Sequence, residues 1–290
     1  MISGCLLQIG PIGWDLQPAE SGVIRYSTPP YDGFVRVGGA GTAAVVLPLV
    51  VRTGGVDVPG GVPLYRAGNN WAIWDEGEAF LLAVGLGRRS CRLVCRVSRS
   101  LMEGELWVNG DPQESPLRYP LDQVLAWGML AQCGGFLMHA AAVVLDGVAW
   151  VLTGRSGAGK STLSGLCREA GWEVLNDDRV ILYEERGEWR VSGTPWHGSG
   201  CFWQNRQVPL GGVFVLQQDR GDVVALLGRR ESRLALLDTV SVPWFEPEWS
   251  QGALDAVATA TEAVPVSRFR FTNSAAAVNT LGSYCKGLTG

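Results

Sequence analysis

A glycine-rich segment at residues 154–162 has the residue types and spacing of a phosphate-binding loop. Its first eight residues fit the pattern G-x-x-x-x-G-K-[S/T], in which glycines let successive backbone N–H groups point at phosphate oxygens. In such a loop Lys160 would reach the β- and γ-phosphates, and the Ser161 hydroxyl would bind Mg²⁺. The pattern therefore predicts a nucleotide site formed by Gly154, Arg155, Ser156, Gly157, Ala158, Gly159, Lys160, Ser161 and Thr162.

The elements on either side of this segment are the ones that a phosphate-binding loop requires. Residues 148–153 are a short apolar run rich in valine, which predicts a buried strand. After the loop, apolar residues recur at helical spacing from Leu163 to Ala170, and Gly171 stands where a C-terminal cap belongs. The amino end of that helix would add its dipole and its free N–H groups to the anion site.

Two adjacent carboxylates, Asp177 and Asp178, follow the next predicted strand at residues 172–175. In an open α/β sheet, ligands bind at the carboxyl ends of the strands. One carboxylate could hold Mg²⁺ opposite Ser161, and the other could accept a proton from an attacking hydroxyl. The alternative is a solvated Asp-Asp turn without a chemical role.

The two histidines of the chain fall near the same elements. His139 begins the strand pair that leads into the loop, and His197 lies in the Gly/Pro-rich segment at residues 193–200, where binding groups are common. Each is alternatively an ordinary structural histidine. Arg155 and Arg206 are further candidates for stabilising phosphoryl charge, although surface arginines are common.

The N-terminal and C-terminal parts of the chain differ in pattern. Residues 1–115 consist of short apolar runs between glycine and proline turns, which predicts a β-rich domain for recognition or structure. In this part, Asn109-Gly110 predicts a hairpin turn. Residues 116–290 alternate strand and helix patterns, which predicts a nucleotide-binding domain that begins with a helix after Pro120.

Composition argues against several classes of protein. The chain has 24 basic and 28 acidic residues without a Lys/Arg run, which disfavours nucleic acid as a partner. The longest uncharged apolar stretch, residues 43–51, is too short to cross a bilayer, and no basic segment typical of a signal peptide begins the chain. Seven cysteines without a C-x-x-C pair predict reduced thiols and a cytoplasmic location without membrane attachment.

The order and spacing of His139, Asp146-Gly147, the 154–162 loop and Asp177-Asp178 resembles the catalytic domain of HPr kinase/phosphorylase. The segment is also similar to the nucleotide site of ATP-dependent phosphoenolpyruvate carboxykinase, which shares that core. The match covers about residues 119–272 and extends to bacterial HPr-kinase-like proteins that have a β-rich N-terminal region. The resemblance implies an α/β fold: a P-loop kinase core with a mixed sheet and flanking helices, preceded by a β-rich domain.

The resemblance also assigns roles by position. It implies that Asp178 is the general base and that His139 holds it. Ser161 and Asp177 would bind Mg²⁺, while Lys160 and the loop amides would bind the phosphates of ATP. Two further residues of the Thr-Pro-Trp-His-Gly segment, Trp196 and His197, would line the site.

The chain departs from the HPr kinase pattern in two places. HPr kinases usually carry an acidic residue directly after the loop Lys-Ser, where this chain has Thr162. The glycine-rich signature that helps those enzymes bind their protein substrate is not found downstream. The resemblance therefore carries over neither the reverse, phosphorolytic reaction nor HPr as the substrate.

The function expected from sequence is that of an ATP- and Mg²⁺-dependent kinase acting on a serine or threonine hydroxyl of a peptide or protein. Some members of the similar bacterial branch lie in peptide-modification gene clusters and phosphorylate a precursor peptide on serine. Two alternatives stay open: a kinase for a small molecule such as free serine, and a non-catalytic nucleotide-binding partner in a modification system. HPr kinases are oligomeric, which leaves a homo-oligomer open as well.

Overall fold

The computed structural model describes residues 4–36, 41–54, 56–57, 59–87, 90–111 and 113–289. It is a mixed α/β structure that divides into two compact units. Unit 1 comprises Met1–Met129 with Trp244–Pro247, and unit 2 comprises Leu130–Pro243 with Glu248–Gly290. The first division falls inside helix α1 (Leu121–Gln132), which the sequence predicts after Pro120.

Unit 1 is built mainly from strands, as the short apolar runs predict. Within the described residues, nine strands form one sheet in the order β3-β1-β2-β4-β11-β10-β8-β7-β6, and β5 pairs with β9. A single 3-10 turn, Tyr31–Phe34, precedes β3. The strands are β1 (Cys5–Ile9), β2 (Ile12–Pro18), β3 (Val35–Arg36), β4 (Val45–Thr53), β5 (Val56–Asp57), β6 (Tyr65–Ala67), β7 (Trp71–Asp75), β8 (Ala79–Val84), β9 (Ser90–Cys91), β10 (Leu93–Ser98) and β11 (Gly104–Val108).

The hairpin predicted at Asn109-Gly110 is wrong. β11 pairs with β10 on one side and with β4 on the other, so neither of its edges is free for a returning strand. The chain leaves the sheet after Val108 instead, and residues 113–120 contain no strand. An Asn-Gly pair permits a tight turn, but a hairpin also needs an open edge for the second strand.

Unit 2 alternates strands and helices. Its elements are β12 (Gly135–Leu145), β13 (Val148–Thr153), α2 (Lys160–Glu169), β14 (Glu173–Asn176), β15 (Arg179–Glu185), β16 (Glu188–Ser192), β17 (Gln207–Gln218), β18 (Val223–Leu226), α3 (Arg229–Leu237), α4 (Pro247–Ala263), β19 (Val266–Phe271) and α5 (Ala275–Thr289). The first residue of α4, Pro247, belongs to unit 1 by its contacts.

The sheet of unit 2 is buried on both faces, because its central strands alternate between two apolar clusters. Helices α2 and α5 cover one face, and α3 and α4 contribute to the other. The first cluster joins Ala141, Val143, Trp150, Leu152, Leu163 and Leu281, and the second joins Ala140, Ala142, Val151, Leu236, Val257 and Ala260. Burial on both faces explains why β12 and β13 are continuous apolar runs rather than alternating ones.

Strand β12 pairs with three other strands of unit 2. Its residue Ala140 is opposite Thr153 of β13, and Ala142 is opposite Asn176 of β14. β15 pairs with the first half of β12, where His139 is opposite Arg179. Because β13 and β14 both run antiparallel to β12, their carboxyl ends arrive at the same part of that strand.

Helix α2 ends as its sequence predicts. Gly171 has a φ of +89°, and its N–H bonds to the carbonyl of Arg168. The N–H of Trp172 reaches back to the carbonyl of Cys167 at 3.0 Å, which completes a Schellman motif. By contrast, the sequence does not predict α4, whose buried positions include three alanines, a serine and a threonine and so lack a strong apolar stripe.

Among the described residues, no helix combines the length and the hydropathy that a bilayer crossing requires.

Packing in unit 2 predicts the effect of a glycine substitution in β17. A Cβ on Gly211 would lie 2.6 Å from Cγ1 of Val148 and 2.7 Å from Cη2 of the buried Trp150. We expect Gly211→Ala to lower the free energy of unfolding by about 1–3 kcal/mol, because the core has no room for the methyl group. Urea denaturation measures the change.

Gly165→Ala in α2 is the matched control. A Cβ there meets nothing within 4 Å, so alanine should raise the free energy of unfolding by about 0.5–1 kcal/mol through helix propensity. Equal urea midpoints for Gly211→Ala and the parent chain would contradict the packing of β17 against β13.

Candidate functional site

The glycine-rich segment forms a turn between the end of β13 and the start of α2. Gly154, Gly157 and Gly159 have φ values of +149°, +79° and +99°, a region in which side chains are strained. A Cβ on Gly159 would also lie 2.6 Å from Cζ of Phe271. The amino end of α2 has no side-chain cap, so its N–H groups remain suited to an anion.

Lys160, the first residue of α2, folds back over this loop. Its Nζ donates to the carbonyl of Gly154 at 2.8 Å and lies 3.5 Å from the carbonyl of Arg155. The pKa of Lys160 lies below its ordinary value, mainly because burial disfavours the charged amine. The charge of Asp178 acts to raise this pKa, and the charge of Arg179 acts to lower it. The amine and the Asp178 carboxylate therefore belong to one electrostatic site.

Asp178 lies between an imidazole and a guanidinium. Nδ1 of His139 is 3.0 Å from Oδ1 of Asp178 and 3.0 Å from its main-chain oxygen, so a ring that is protonated on Nδ1 donates to Asp178. Nη1 of Arg179 is 3.1 Å from Oδ2 and also contacts His139. The side chain of Asp178 is 29% exposed, so the carboxylate stays accessible to a ligand.

The pKa of Asp178 lies below its ordinary value. Burial acts to raise this pKa, but the hydrogen bond from His139 and the charges of Arg179, His139 and Lys160 outweigh it. Asp178 is consequently a carboxylate at neutral pH.

The backbone of His139 is fixed by two buried threonines. Its N–H donates to the carbonyl of Thr239 at 2.8 Å, and its own carbonyl accepts from the Thr153 hydroxyl at 3.2 Å. The two threonine hydroxyls lie 2.9 Å apart and share a hydrogen bond. These contacts orient the histidine from the ends of β13 and α3.

The other half of the aspartate pair points into the protein. Asp177 is 3% exposed, and its two carboxylate oxygens accept N–H bonds from Gly198 and Gly200. The preceding Asn176 is fully buried and binds the carbonyl of Thr194 through its Nδ2. The structure thus brings Asp178 together with Lys160 and His139, and it turns Asp177 toward the 193–200 segment.

The 193–200 segment lies beside the aspartates. Trp196 is buried, and His197 is half-buried with its ring 4.8 Å from that of Trp203. Gly198 lies so close that a Cβ on it would be 3.1 Å from Cβ of Asp178. Both residues predicted to line the site therefore lie on a segment that contacts the aspartate pair.

The remaining predicted residues have different surroundings. Ser161 and Thr162 are exposed on the first turn of α2. Arg155 is 85% exposed and pairs with Asp238 at 3.0 Å. Arg206 pairs with Glu173, which places it on a surface ion pair rather than among the residues around Asp178.

A cleft of about 980 Å³ lies beside the loop. Residues 154–158, the carboxyl end of β17 and one side of α3 line it, and the ion pair of Glu231 with Arg268 is part of its wall. The volume is that of a small-molecule site.

Sequence reasoning missed Asn176, Arg179, Thr153 and Thr239 as residues that shape the site. Arg179 directly follows the aspartate pair, but its role depends on the register that sets it opposite His139. Thr239 comes from a region about one hundred residues from His139 in sequence, and no local pattern marks it.

The site fits a phosphate group better than it fits a preformed metal cage. Left-handed glycines and an uncapped helix terminus suit a phosphate. Among the described residues, no group of three or more His, Cys, Asp or Glu side chains could hold a metal ion. Mg²⁺ ordinarily uses one or two carboxylates together with phosphates and waters, so a preformed cage of protein ligands is not required for it.

The contacts of Asp178 predict a pKa change in a histidine variant. We expect His139→Ala to raise the pKa of Asp178 because the hydrogen bond and the charge of the imidazole are lost. Carboxyl ¹³C NMR titration measures that pKa. His197→Ala is the control and should leave it unchanged, since the His197 ring bonds to Gly198 and stacks near Trp203.

The same shift has a consequence for stability. A depressed pKa contributes stability above the unfolded-state pKa, and this contribution is lost as pH falls through the lower folded-state value. His139→Ala should bring the folded-state pKa of Asp178 closer to the unfolded-state value. The acidic pH range over which Asp178 loses its contribution to stability should therefore become narrower. An unaltered Asp178 titration in His139→Ala would contradict the hydrogen bond.

Comparison with known proteins places the chain in a family. Curated proteins yield no match. Among solved structures, the chain is similar to the Hpr(Ser) kinase/phosphatase from Coxiella burnetii, with 12% identity and a TM-score of 0.32 over 53% of this chain and 99% of that chain. The model of the family described as "SynChlorMet cassette protein ScmC" matches residues 122–282, which include every predicted site residue. Because that match covers more than half of the chain, the protein belongs to the ScmC family.

Proposed function

We propose that the protein is an ATP- and Mg²⁺-dependent kinase with a P-loop core, which phosphorylates a serine or threonine hydroxyl of a peptide or protein. The observation that carries this proposal is that His139 and Arg179 hold the partly exposed Asp178 carboxylate, while Lys160 folds back over the glycine-rich loop. Phosphoryl transfer requires a cationic phosphate cradle and a carboxylate that orients the attacking hydroxyl. Unit 2 contains residues suited to both tasks.

The phosphates of ATP would lie on residues 154–162. The N–H groups at the start of α2 would bind their oxygens, helped by the helix dipole. Lys160 at present donates to the carbonyls of Gly154 and Arg155, and phosphate oxygens would take the place of these acceptors. The cleft beside the loop has room for the nucleoside.

Mg²⁺ would neutralise charge on the β- and γ-phosphates. We assign Ser161, on the exposed first turn of α2, as its ligand from the loop. The assignment of Asp177 as a second ligand stays a prediction. Each of its oxygens already accepts one N–H group of the 193–200 segment, and the proposed kinase does not depend on a metal contact there, because waters and phosphate oxygens can complete the shell of Mg²⁺.

Asp178 would receive the proton of the acceptor hydroxyl. As the hydroxyl oxygen bonds to the γ-phosphorus, the bond from that phosphorus to the bridging oxygen of ADP breaks and the proton passes to Asp178. A carboxylate with a lowered pKa is a weak base, but a loose transition state demands little proton transfer before the new bond forms. Asp178 would therefore act mainly by orienting the hydroxyl, with His139 and Arg179 fixing the carboxylate.

The acceptor is proposed from two observations. The 193–200 segment lies against Asp178 at Gly198, and its half-buried His197 is open to contact with a polypeptide. The family description names a cassette protein, which supports a role in a modification system. A peptide of such a system is the proposed acceptor, and the β-rich unit 1 is a candidate for holding it.

We expect Asp178→Asn to abolish phosphoryl transfer while ATP binding survives. The amide can neither accept the hydroxyl proton nor supply the negative charge that orients the hydroxyl, so turnover should fall by at least about 100-fold. Mass spectrometry of candidate acceptors after incubation with ATP and Mg²⁺ measures the gain of one phosphate. Asp255→Asn, an exposed change on α4, is the control and should retain parental turnover. Parental turnover in Asp178→Asn would refute the assigned base.

Lys160→Ala should weaken ATP binding by about 10- to 100-fold, since a charge-assisted contact to phosphate is removed. The chain offers a matched control, because Lys286 near the C-terminus is its other lysine. Isothermal titration calorimetry should show parental ATP affinity for Lys286→Ala. Equal ATP affinity in both variants would place the phosphates elsewhere.

The two alternatives give different products. A small-molecule kinase would phosphorylate free serine, or a similar hydroxyl compound, and leave peptides unmodified. A non-catalytic partner would bind ATP and yield no phosphorylated product with any acceptor. Parallel reactions with free serine and with serine-containing peptides therefore separate all three functions.

A further inference from the structure

We infer that Asp177 is a positioning residue, whose carboxylate holds the turn at residues 198–200 against Asp178 even without metal or nucleotide. The effect on catalysis rests on the proposed kinase function, whereas the contact itself does not. The sequence predicts Asp177 as a metal ligand. The inferred role is instead to accept hydrogen bonds from amides of the protein itself.

Each carboxylate oxygen of Asp177 bonds to a different amide of one turn. Oδ1 accepts the N–H of Gly198 at 2.8 Å, and Oδ2 accepts the N–H of Gly200 at 2.6 Å. Hydrogen bonds from N–H to an ionised carboxylate are stronger than bonds between neutral groups. Since Asp177 is 3% exposed, water does not readily replace these amides.

The two glycines are required by this approach. A Cβ on Gly200 would lie 2.5 Å from Oδ2 of Asp177, and a Cβ on Gly198 would lie 3.2 Å from the same oxygen. Larger residues would push the carboxylate away from the turn. The Gly-Ser-Gly sequence at 198–200 is thus matched to Asp177.

Asn176 holds the same region from the other side of the aspartate. Its Oδ1 accepts the N–H groups of Asp178 and Arg179, while its Nδ2 donates to the carbonyl of Thr194. The Asn-Asp-Asp sequence therefore divides its tasks: Asn176 and Asp177 bind the protein interior, and Asp178 alone presents its carboxylate to the site.

The turn that Asp177 holds also fixes the position of His197. Nδ1 of His197 lies 2.9 Å from the carbonyl of Gly198, and its ring packs near Trp203. Release of the turn would free Gly198, which lies against Asp178, together with His197, which bonds to Gly198. Loss of the Asp177 contact should therefore disturb the acceptor side of the site and leave the phosphate loop intact.

Hydrogen exchange of the full chain tests the contact directly. In metal-free and nucleotide-free protein, Asp177→Asn should speed exchange of the Gly198 and Gly200 amides by about tenfold, because an amide group cannot accept at both positions. Asp178→Asn is the matched control and should leave these amides unchanged. Gly200→Ala disturbs the same contact at the amide and should accelerate exchange equally. This second variant tests the contact if Asp177→Asn fails to fold.

Calorimetry separates positioning from metal binding. Asp177→Asn should bind ATP within about twofold of the parent, both with Mg²⁺ and with EDTA. Unchanged exchange in both Asp177→Asn and Gly200→Ala would overturn the inference, as would an ATP affinity loss that appears only with Mg²⁺. Accelerated exchange in a protein that phosphorylates no acceptor would uphold the inference and refute the kinase function.

Discussion

The register of β12 is the constraint on which the site depends. This strand pairs with β13, β14 and β15 near residues 139–142, so that the loop after β13 and the aspartates after β14 meet beside His139. A one-residue slip would send the side chain of His139 to the opposite face and separate it from Asp178. Two-sided burial opposes such a slip, because alternate residues of β12 belong to different apolar clusters.

Charge balance is the second constraint on the site. Burial opposes the charged forms of both Asp178 and Lys160, yet their mutual attraction favours them. His139 and Arg179 add to the stabilisation of the carboxylate. A chain that keeps a partly buried carboxylate ionised in the field of a lysine amine can orient a hydroxyl without a large rearrangement of its own groups.

The sequence predicts the elements that local patterns determine. Strands β12 and β13 and helix α2 are confirmed, since apolar runs, an Asp-Gly turn and a glycine cap are local signals. Contacts between distant segments are not predictable in this way. The threonine that fixes His139 lies in another part of the chain, and the orientation of Asp177 depends on glycines more than twenty residues away. A single sequence shows two equivalent aspartates, whereas the fold gives them different surroundings.

The decisive measurement is a crystal structure of the full chain with Mg²⁺ and a non-hydrolysable ATP analogue. We expect the amides at the start of α2 and Nζ of Lys160 to bind the γ-phosphate, and the carboxylate of Asp178 to face its phosphorus with room for one hydroxyl group between them. A nucleotide bound outside the loop, or a γ-phosphate facing away from Asp178, would contradict this expectation.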